Sequence, residues 1–281
     1  MSEYYTARRS RGLYDPERNR PGPRGEPFKL SRSKIDLFLE CPRCFYLDRR
    51  LGVGRPPGFP FNLNSAVDHL LKKEFDFHRA TQSPHPLMES YGVEAVPFEH
   101  ANMDQWRNTF QGVQHLHEPT NFLVFGAVDD IWANPAGELI VVDYKATSKD
   151  GTPTLDADWQ RSYKRQMEIY QWLLRGNEFK VSDTGYFVYA NGKRDREAFD
   201  KKLEFEVVLI SYAGKTEWID RALSDARALL VADAPPLGGD ECDYCAYRHA
   251  AGEVLLESKR RATRRPNDIA ARKPVEQTLF S

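Results

Sequence analysis

Two neighbouring stretches, Leu123–Trp132 (L-V-F-G-A-V-D-D-I-W) and Glu138–Lys145 (E-L-I-V-V-D-Y-K), are short apolar runs rich in β-branched and aromatic residues, with polar residues where the runs end. Asn134-Pro135-Ala136-Gly137 lies between them. Two β-prone runs split by turn formers predict a hairpin, or two adjacent strands of one sheet. Elsewhere the apolar residues recur at helical spacing. Ile35-x-Leu37-Phe38-Leu39 forms one such stretch, with Ser33 as its expected cap and Pro42 as its break, and a short second helix is expected from Arg43 to about Arg50. Phe61–Phe75 predicts another, for which Ser65 and Asp68 form a possible capping box. A helix from about Asp158 carries Trp159, Tyr163, Gln166 and Tyr170 as one stripe, alternating steps of four and three. Gly185–Ala190 and Leu203–Ile210 read as strands, and Thr216–Val231 as a helix. Strands alternating with helices make the expected fold α/β, with a central mixed sheet flanked by helices and a helical insertion at about 80–120.

The polar residues of the hairpin carry the first chemical signal. Period two puts Asp143 and Lys145 on one face of their strand and Val142 and Tyr144 on the other. Asp129, late in the preceding run, reaches the same end. Two carboxylates and an ammonium are costly to enclose unless a hard cation such as Mg²⁺ and an anionic substrate complete the set, the arrangement of metal-assisted phosphodiester hydrolysis. A solvated hairpin face with no chemistry would show the same spacing.

Composition narrows the setting. The chain has 281 residues, 41% hydrophobic and 29% charged, with a net charge of −1. That balance describes a folded chain that must gather basic residues locally if it binds nucleic acid. No run is apolar enough to span a membrane and the first residues lack an apolar signal core, so a cytoplasmic protein without membrane partners is expected. Residues 1–28, rich in Arg, Pro and Gly, read as a flexible basic arm, 29–256 as the folded domain, and 257–281 as a basic tail. Most histidines fall between His78 and His117, at spacings too irregular for a metal site.

The ordered set Gly126-x-x-Asp129, Asp143-x-Lys145 and Gln166-x-x-x-Tyr170 resembles the PD-(D/E)XK nuclease superfamily. In particular it resembles the RecB-like branch, which includes CRISPR-associated RecB-like exonucleases. The resemblance covers about Lys29–Arg248. It implies a restriction-endonuclease-like core that cleaves DNA with Mg²⁺ or Mn²⁺, as an exonuclease in repair, recombination or CRISPR-related processing. Asp129 and Asp143 would hold the metal, the Tyr144 carbonyl would complete its shell, and Lys145 would orient the attacking water. Gln166 and Tyr170 would support the site or hold the strand. The branch usually has a glycine and, four residues later, a metal-binding histidine where this chain has Asn64 and Asp68, with His69 one position late. Asp68 is then an oxygen ligand in place of the histidine, or only a helix cap. A catalytically weak DNA-binding or scaffolding subunit is the rival reading.

The four cysteines form two pairs, Cys41-x-x-Cys44 and Cys242-x-x-Cys245. Two such pairs in a reducing compartment indicate a closed metal site joining the two ends of the fold. The spacing suits zinc, whereas the resemblance implies a [4Fe-4S] cluster, although Ala251 stands where the branch has its last cysteine. No phosphate-binding loop G-x-x-x-x-G-K-[ST] occurs, so a processive role would need a helicase or another repair or CRISPR protein as partner. The terminal Gln277-Thr278-Leu279-Phe280 resembles a short sliding-clamp-binding peptide.

Overall fold

Leu139–Thr147 is the strand around which the chain is layered. Its alternation divides the interior in two: Val141 joins the core on one side of the sheet, while Ile140, Val142 and Tyr144 join the core on the other. The computed structural model describes residues 12–58 and 61–264. In chain order the elements are β1 (Phe28–Ser31), α1 (Arg32–Glu40), α2 (Pro42–Arg49), α3 (Asn62–Thr81), α4 (Pro86–Ser90), β2 (Val96–Pro97), α5 (Met103–Arg107), β3 (Val113–His117) and β4 (Phe122–Gly126). There follow β5 (Asp130–Ala133), β6 (Leu139–Thr147), α6 (Arg161–Gly176), β7 (Thr184–Gly192), β8 (Phe205–Ala213), α7 (Ile219–Val231) and α8 (Asp243–Arg264).

Five strands in the order β2-β5-β6-β7-β8 form the main sheet, and β1-β4-β3 a smaller one. β6 and β7 run parallel while the other neighbours in the main sheet are antiparallel. A parallel pair needs a long crossover, and α6 lies within it. The fold is α/β with a mixed sheet flanked by helices, a restriction-endonuclease-like core. The Asn134–Gly137 turn closes the β5–β6 hairpin as expected, with Gly137 at φ +73°.

The first hairpin run is not one strand. β4 belongs to the small sheet and β5 to the large one, and the chain crosses between them through Ala127-Val128-Asp129. A side chain at Gly126 would put its Cβ 2.5 Å from Cε1 of Tyr170, so α6 packs directly on the backbone at this bend. Asp129 is thereby delivered to the junction of the two sheets.

Several sequence expectations change. α1 starts after Ser31, which bonds to Ser33 through the two hydroxyls (3.0 Å), so Ser33 is not its cap. Pro42 ends one helix by opening the next at its first turn, where a missing N–H costs nothing. α3 begins at Asn62, which puts Asp68 two turns inside the helix, and the Ser65–Asp68 capping box does not form. The described part of the expected arm, 12–28, is folded: Tyr14 is buried edge-on against Phe28 and Phe122. α8 runs past residue 257, where a tail was expected, to Arg264. Region 80–120 supplies strands β2 and β3 as well as short helices. Gln277–Phe280 lies outside the described residues. No helix among the described residues is long and apolar enough to cross a membrane.

Candidate active site and metal centre

Asp143 and Lys145 stand on the same face of β6, and their side chains form an ion pair. Asp143 is fully enclosed, and its Oδ1 accepts a hydrogen bond from Gln166 Nε2 at 2.7 Å. The same amide nitrogen donates to the Tyr170 hydroxyl at 3.1 Å. Gln166 and Tyr170, four residues apart on α6, therefore face the strand that carries the carboxylate. Asp129 accepts from the backbone N–H of Tyr144 through Oδ2 at 3.0 Å. The Lys145 ammonium also lies 4.4 Å from the centre of the Tyr163 ring. The stripe Tyr163, Gln166, Tyr170 thus faces polar groups and not the packed core alone.

Asp68 faces this group from α3, whereas His69 is exposed. Lys72, one turn beyond Asp68, joins the two elements: its Nζ lies 2.8 Å from Asp68 Oδ2 and 3.1 Å from Asp129 Oδ1. The sequence reading missed Lys72, although Asp68-x-x-x-Lys72 was a visible helix-face pair. Asn64, at the glycine position of the resembled branch, donates to the Ala146 carbonyl at 2.9 Å and ties α3 to the end of β6. A cavity of about 370 Å³ opens beside the carboxylates, lined by Ser31, Arg32, Lys72, Arg107 and Asp129 among others.

The electrostatics separate the two central acids. Burial, reinforced by Asp129 beside it, drives the Asp143 carboxyl up to about 7 against the opposing pull of Lys145. The Asp129 side chain is 21% exposed, and Lys72 and Lys145 outweigh the burial it has and hold it below the ordinary carboxylate range. Like charges this close do not both ionise readily without a cation between them. Burial and then Asp129 also raise Asp68. Asp143 Oδ2 is buried with the Lys145 ammonium as its ion-pair partner. The carboxylate oxygens of Asp129, Asp143 and Asp68 are hard donors, and the raising of Asp143 and Asp68 by burial and by Asp129 is the chemistry of a donor set that suits a small divalent cation.

Comparison with known proteins bears on the whole arrangement. Residues 29–250 match the PD-(D/E)XK nuclease superfamily. The chain belongs to that superfamily. No curated protein sequence matches it. Among solved structures, the one titled "Crystal structure of SSO0001" is similar at 18% identity, covering 78% of this chain and 84% of that one, with a TM-score of 0.33.

In this member of the PD-(D/E)XK superfamily a second acidic centre lies directly behind the first. Asp130, the neighbour of Asp129, points to the opposite face and is completely enclosed. It accepts from Arg107 (3.1 Å), the Tyr144 hydroxyl (2.7 Å) and the Ile131 N–H (2.8 Å), and forms a close ion pair with Arg79. Arg107 also holds both oxygens of Asp76, at 2.9 and 3.0 Å. Sequence offered no signal for this network, because Arg79 and Arg107 lie 51 and 23 residues from Asp130.

Beyond the C-terminal end of α1, whose first residue Arg32 lines the acidic cleft, the four cysteines of this nuclease-superfamily chain converge. Their sulfurs all lie within 4.8 Å of one another, the one group among the described residues with such donor geometry. Cys41–Cys245 and Cys44–Cys242 Sγ separations are 3.7 Å, and Cys44–Cys245 is 3.8 Å. A Cβ on Gly238 would come 2.9 Å from Cys245 Cβ, so the loop before α8 needs a glycine to lie against the thiols. Burial opposes ionisation of Cys41, but bonds from backbone N–H groups of Gly239 and Cys44 bring it down to about 6. Burial and the neighbouring thiols push Cys245 up to about 12. The group is a buried site able to hold a metal. The histidines between 78 and 117 pack instead: His85 stacks on Phe75 at 4.2 Å and His100 on Trp106 at 4.3 Å.

Proposed function

We propose that this chain is a divalent-metal-dependent deoxyribonuclease of the RecB-like branch, hydrolysing phosphodiester bonds in DNA from a free end. The observation that carries this reading is the convergence of Asp129, Asp143, Lys145 and Gln166 from three elements on one cleft beside a cationic cavity. Asp129, Asp143 and Asp68 are the residues that would hold Mg²⁺ or Mn²⁺, with the Tyr144 carbonyl completing the shell. A bound cation would supply Lewis acidity at the phosphate and a lowered pKa for its water. Lys145 holds the attacking water and counters the charge that develops on the phosphorane oxygens. Gln166 keeps Asp143 turned toward the cation, and Tyr170 braces Gln166. Arg32, which lines the cavity, lies where it can neutralise a phosphate of the strand.

The cysteine centre we assign to a single zinc ion. A tetrahedron with Zn–S bonds of about 2.3 Å has edges of about 3.8 Å, which agrees with the closest sulfur separations of 3.7 and 3.8 Å. A [4Fe-4S] cluster spreads its thiolates over four irons and needs a wider arrangement. All four ligands come from protein, so this ion would be structural.

The test uses end-labelled single- and double-stranded DNA with Mg²⁺ or Mn²⁺, beside Lys145→Ala, on protein purified without oxygen and assayed for zinc and iron. Metal-dependent cutting that is lost in the variant supports the reading, and the product ladder gives polarity. Absence of cutting by folded, metal-replete protein on every substrate would transfer the weight to a scaffolding role in a repair or CRISPR complex. Cutting only in the presence of a helicase would identify the chain as one subunit of a processive machine.

A further inference from the structure

The catalytic reading has no use for Lys72, yet this residue holds the position that the reading needs for a cation. Its Nζ bridges Asp68 Oδ2 and Asp129 Oδ1 at 2.8 and 3.1 Å, with the side chain only 21% exposed. An ammonium and a divalent ion cannot share these two oxygens. At separations of roughly 4 Å their repulsion amounts to several kcal/mol even with an effective dielectric constant near 20. Metal entry must therefore displace the ammonium.

The surroundings decide where it can go. Beyond Lys72 lies the cavity lined by Ser31, Ser33, Arg32 and Arg107, and its only carboxylates are Asp68 and Asp129 themselves. A lysine carries its charge on a flexible four-carbon stem, so a swing of the head group into this space needs no backbone movement. An ammonium expelled there meets guanidinium and hydroxyl donors and no counter-charge. An anion that enters the same cavity supplies the missing counter-charge.

We propose that Lys72 is a resident counter-ion that competes with the divalent metal for Asp68 and Asp129. Once displaced, it becomes a ligand of the substrate phosphate. Metal and nucleic acid then load together, because each supplies Lys72 with what the other takes from it. By linkage, DNA raises metal affinity by the same factor as metal raises DNA affinity. The identity of the anion rests on the nuclease reading; the competition with metal does not.

The experiment titrates Mn²⁺ alone into wild type, Lys72→Met and Lys72→Arg, reading the free ion by electron paramagnetic resonance. Lys72→Met removes the charge but keeps the stem, so it is expected to bind Mn²⁺ on the order of tenfold more tightly. It should also cut DNA at least about tenfold more slowly at saturating Mn²⁺, since one phosphate ligand is gone. Lys72→Arg keeps the charge and is expected to keep the weaker wild-type affinity. A Lys72→Met protein with unchanged or weaker Mn²⁺ affinity overturns the proposal, since a purely structural ion pair gives no tightening. Should Lys72→Met not fold, Lys72→Gln serves for the same titration. The Lys145→Ala protein, which cannot cut, gives a separate check: a single-stranded oligonucleotide must raise its Mn²⁺ affinity, and no rise overturns the proposal. Wild type that binds Mn²⁺ with this pattern yet never cuts would sink the nuclease reading and leave the competition intact.

Discussion

Asp129 and Asp130 are consecutive residues at the same bend, and they live in opposite electrostatic worlds. Asp130 is locked by two guanidinium groups, a phenol and a backbone amide. Asp129 is held by one amide and by ammonium groups on flexible stems. Guanidinium forks are rigid and always charged, so they satisfy a carboxylate permanently. Ammonium groups can be moved aside. The difference teaches what separates a structural acid from a reactive one in this fold: Asp130 is fully enclosed among partners that cannot leave, whereas the Asp129 side chain is 21% exposed and its ammonium partners can be moved aside.

The largest expected effect breaks the reactive side alone. Lys145→Ala should lower DNA cleavage by on the order of a thousandfold, far more than the stability lost with the counter-charge of buried Asp143 can account for in protein that circular dichroism shows folded, as measured by end-labelled cleavage. A cut rate within tenfold of wild type would remove Lys145 from the chemistry. Next, Asp130→Asn should cost about 3–5 kcal/mol in urea denaturation, because Arg79 and Arg107 are left to share the partly exposed Asp76 in place of a fully buried carboxylate. Asp129→Asn should cost much less stability but abolish Mn²⁺ binding. If the two variants lose equal stability, the contrast between the neighbours is wrong.

Removing the metal from the cysteine centre, or replacing Cys242 with Ser, should lower stability by a few kcal/mol. The acidic cleft would stay chemically intact in whatever fraction remains folded. Zinc at one equivalent without iron is the expected metal content. The smallest effect concerns pH. Asp143 is raised to about 7, so in the metal-free protein it is protonated below that value and must lose its proton when a cation binds. Mn²⁺ affinity should therefore rise with pH up to about 7, by at most about tenfold per unit, and level off above. Calorimetry in buffers of different ionisation enthalpy would detect the released proton, and an affinity flat from pH 5.5 to 8 would contradict the raised carboxyl.

How much of this was legible in the chain follows from the range of each signal. Asp143 and Lys145 could be paired because period two needs only a strand, and Gln166 with Tyr170 because four residues make one helical turn. The β5–β6 hairpin was legible from Asn134–Gly137. Asp68 was visible as a candidate, but its capping role was misjudged because α3 starts at Asn62, before the residues that looked like a cap. The helix start is fixed instead by contacts across the fold, among them the bond from Asn64 to the Ala146 carbonyl. The split of Leu123–Trp132 between two sheets was hidden for a similar reason. It depends on the Tyr170 ring packing at Gly126, a contact across 44 residues of chain. The guanidinium network around Asp130 was out of reach for any local pattern. Tyr14 looked like part of an unstructured arm because composition, not its partners Phe28 and Phe122, was all that the sequence displayed.

The cysteine centre also has a consequence in time. Cys41 and Cys245 touch across 204 residues, so the site cannot exist until residue 245 has left the ribosome. The N-terminal pair offers only two thiolates until then, which is half of a closed tetrahedral site. Contacts of such long sequence separation form late in folding. An ion held there would therefore be captured last, and its capture would report that synthesis has passed residue 245 and that both ends of the fold have met.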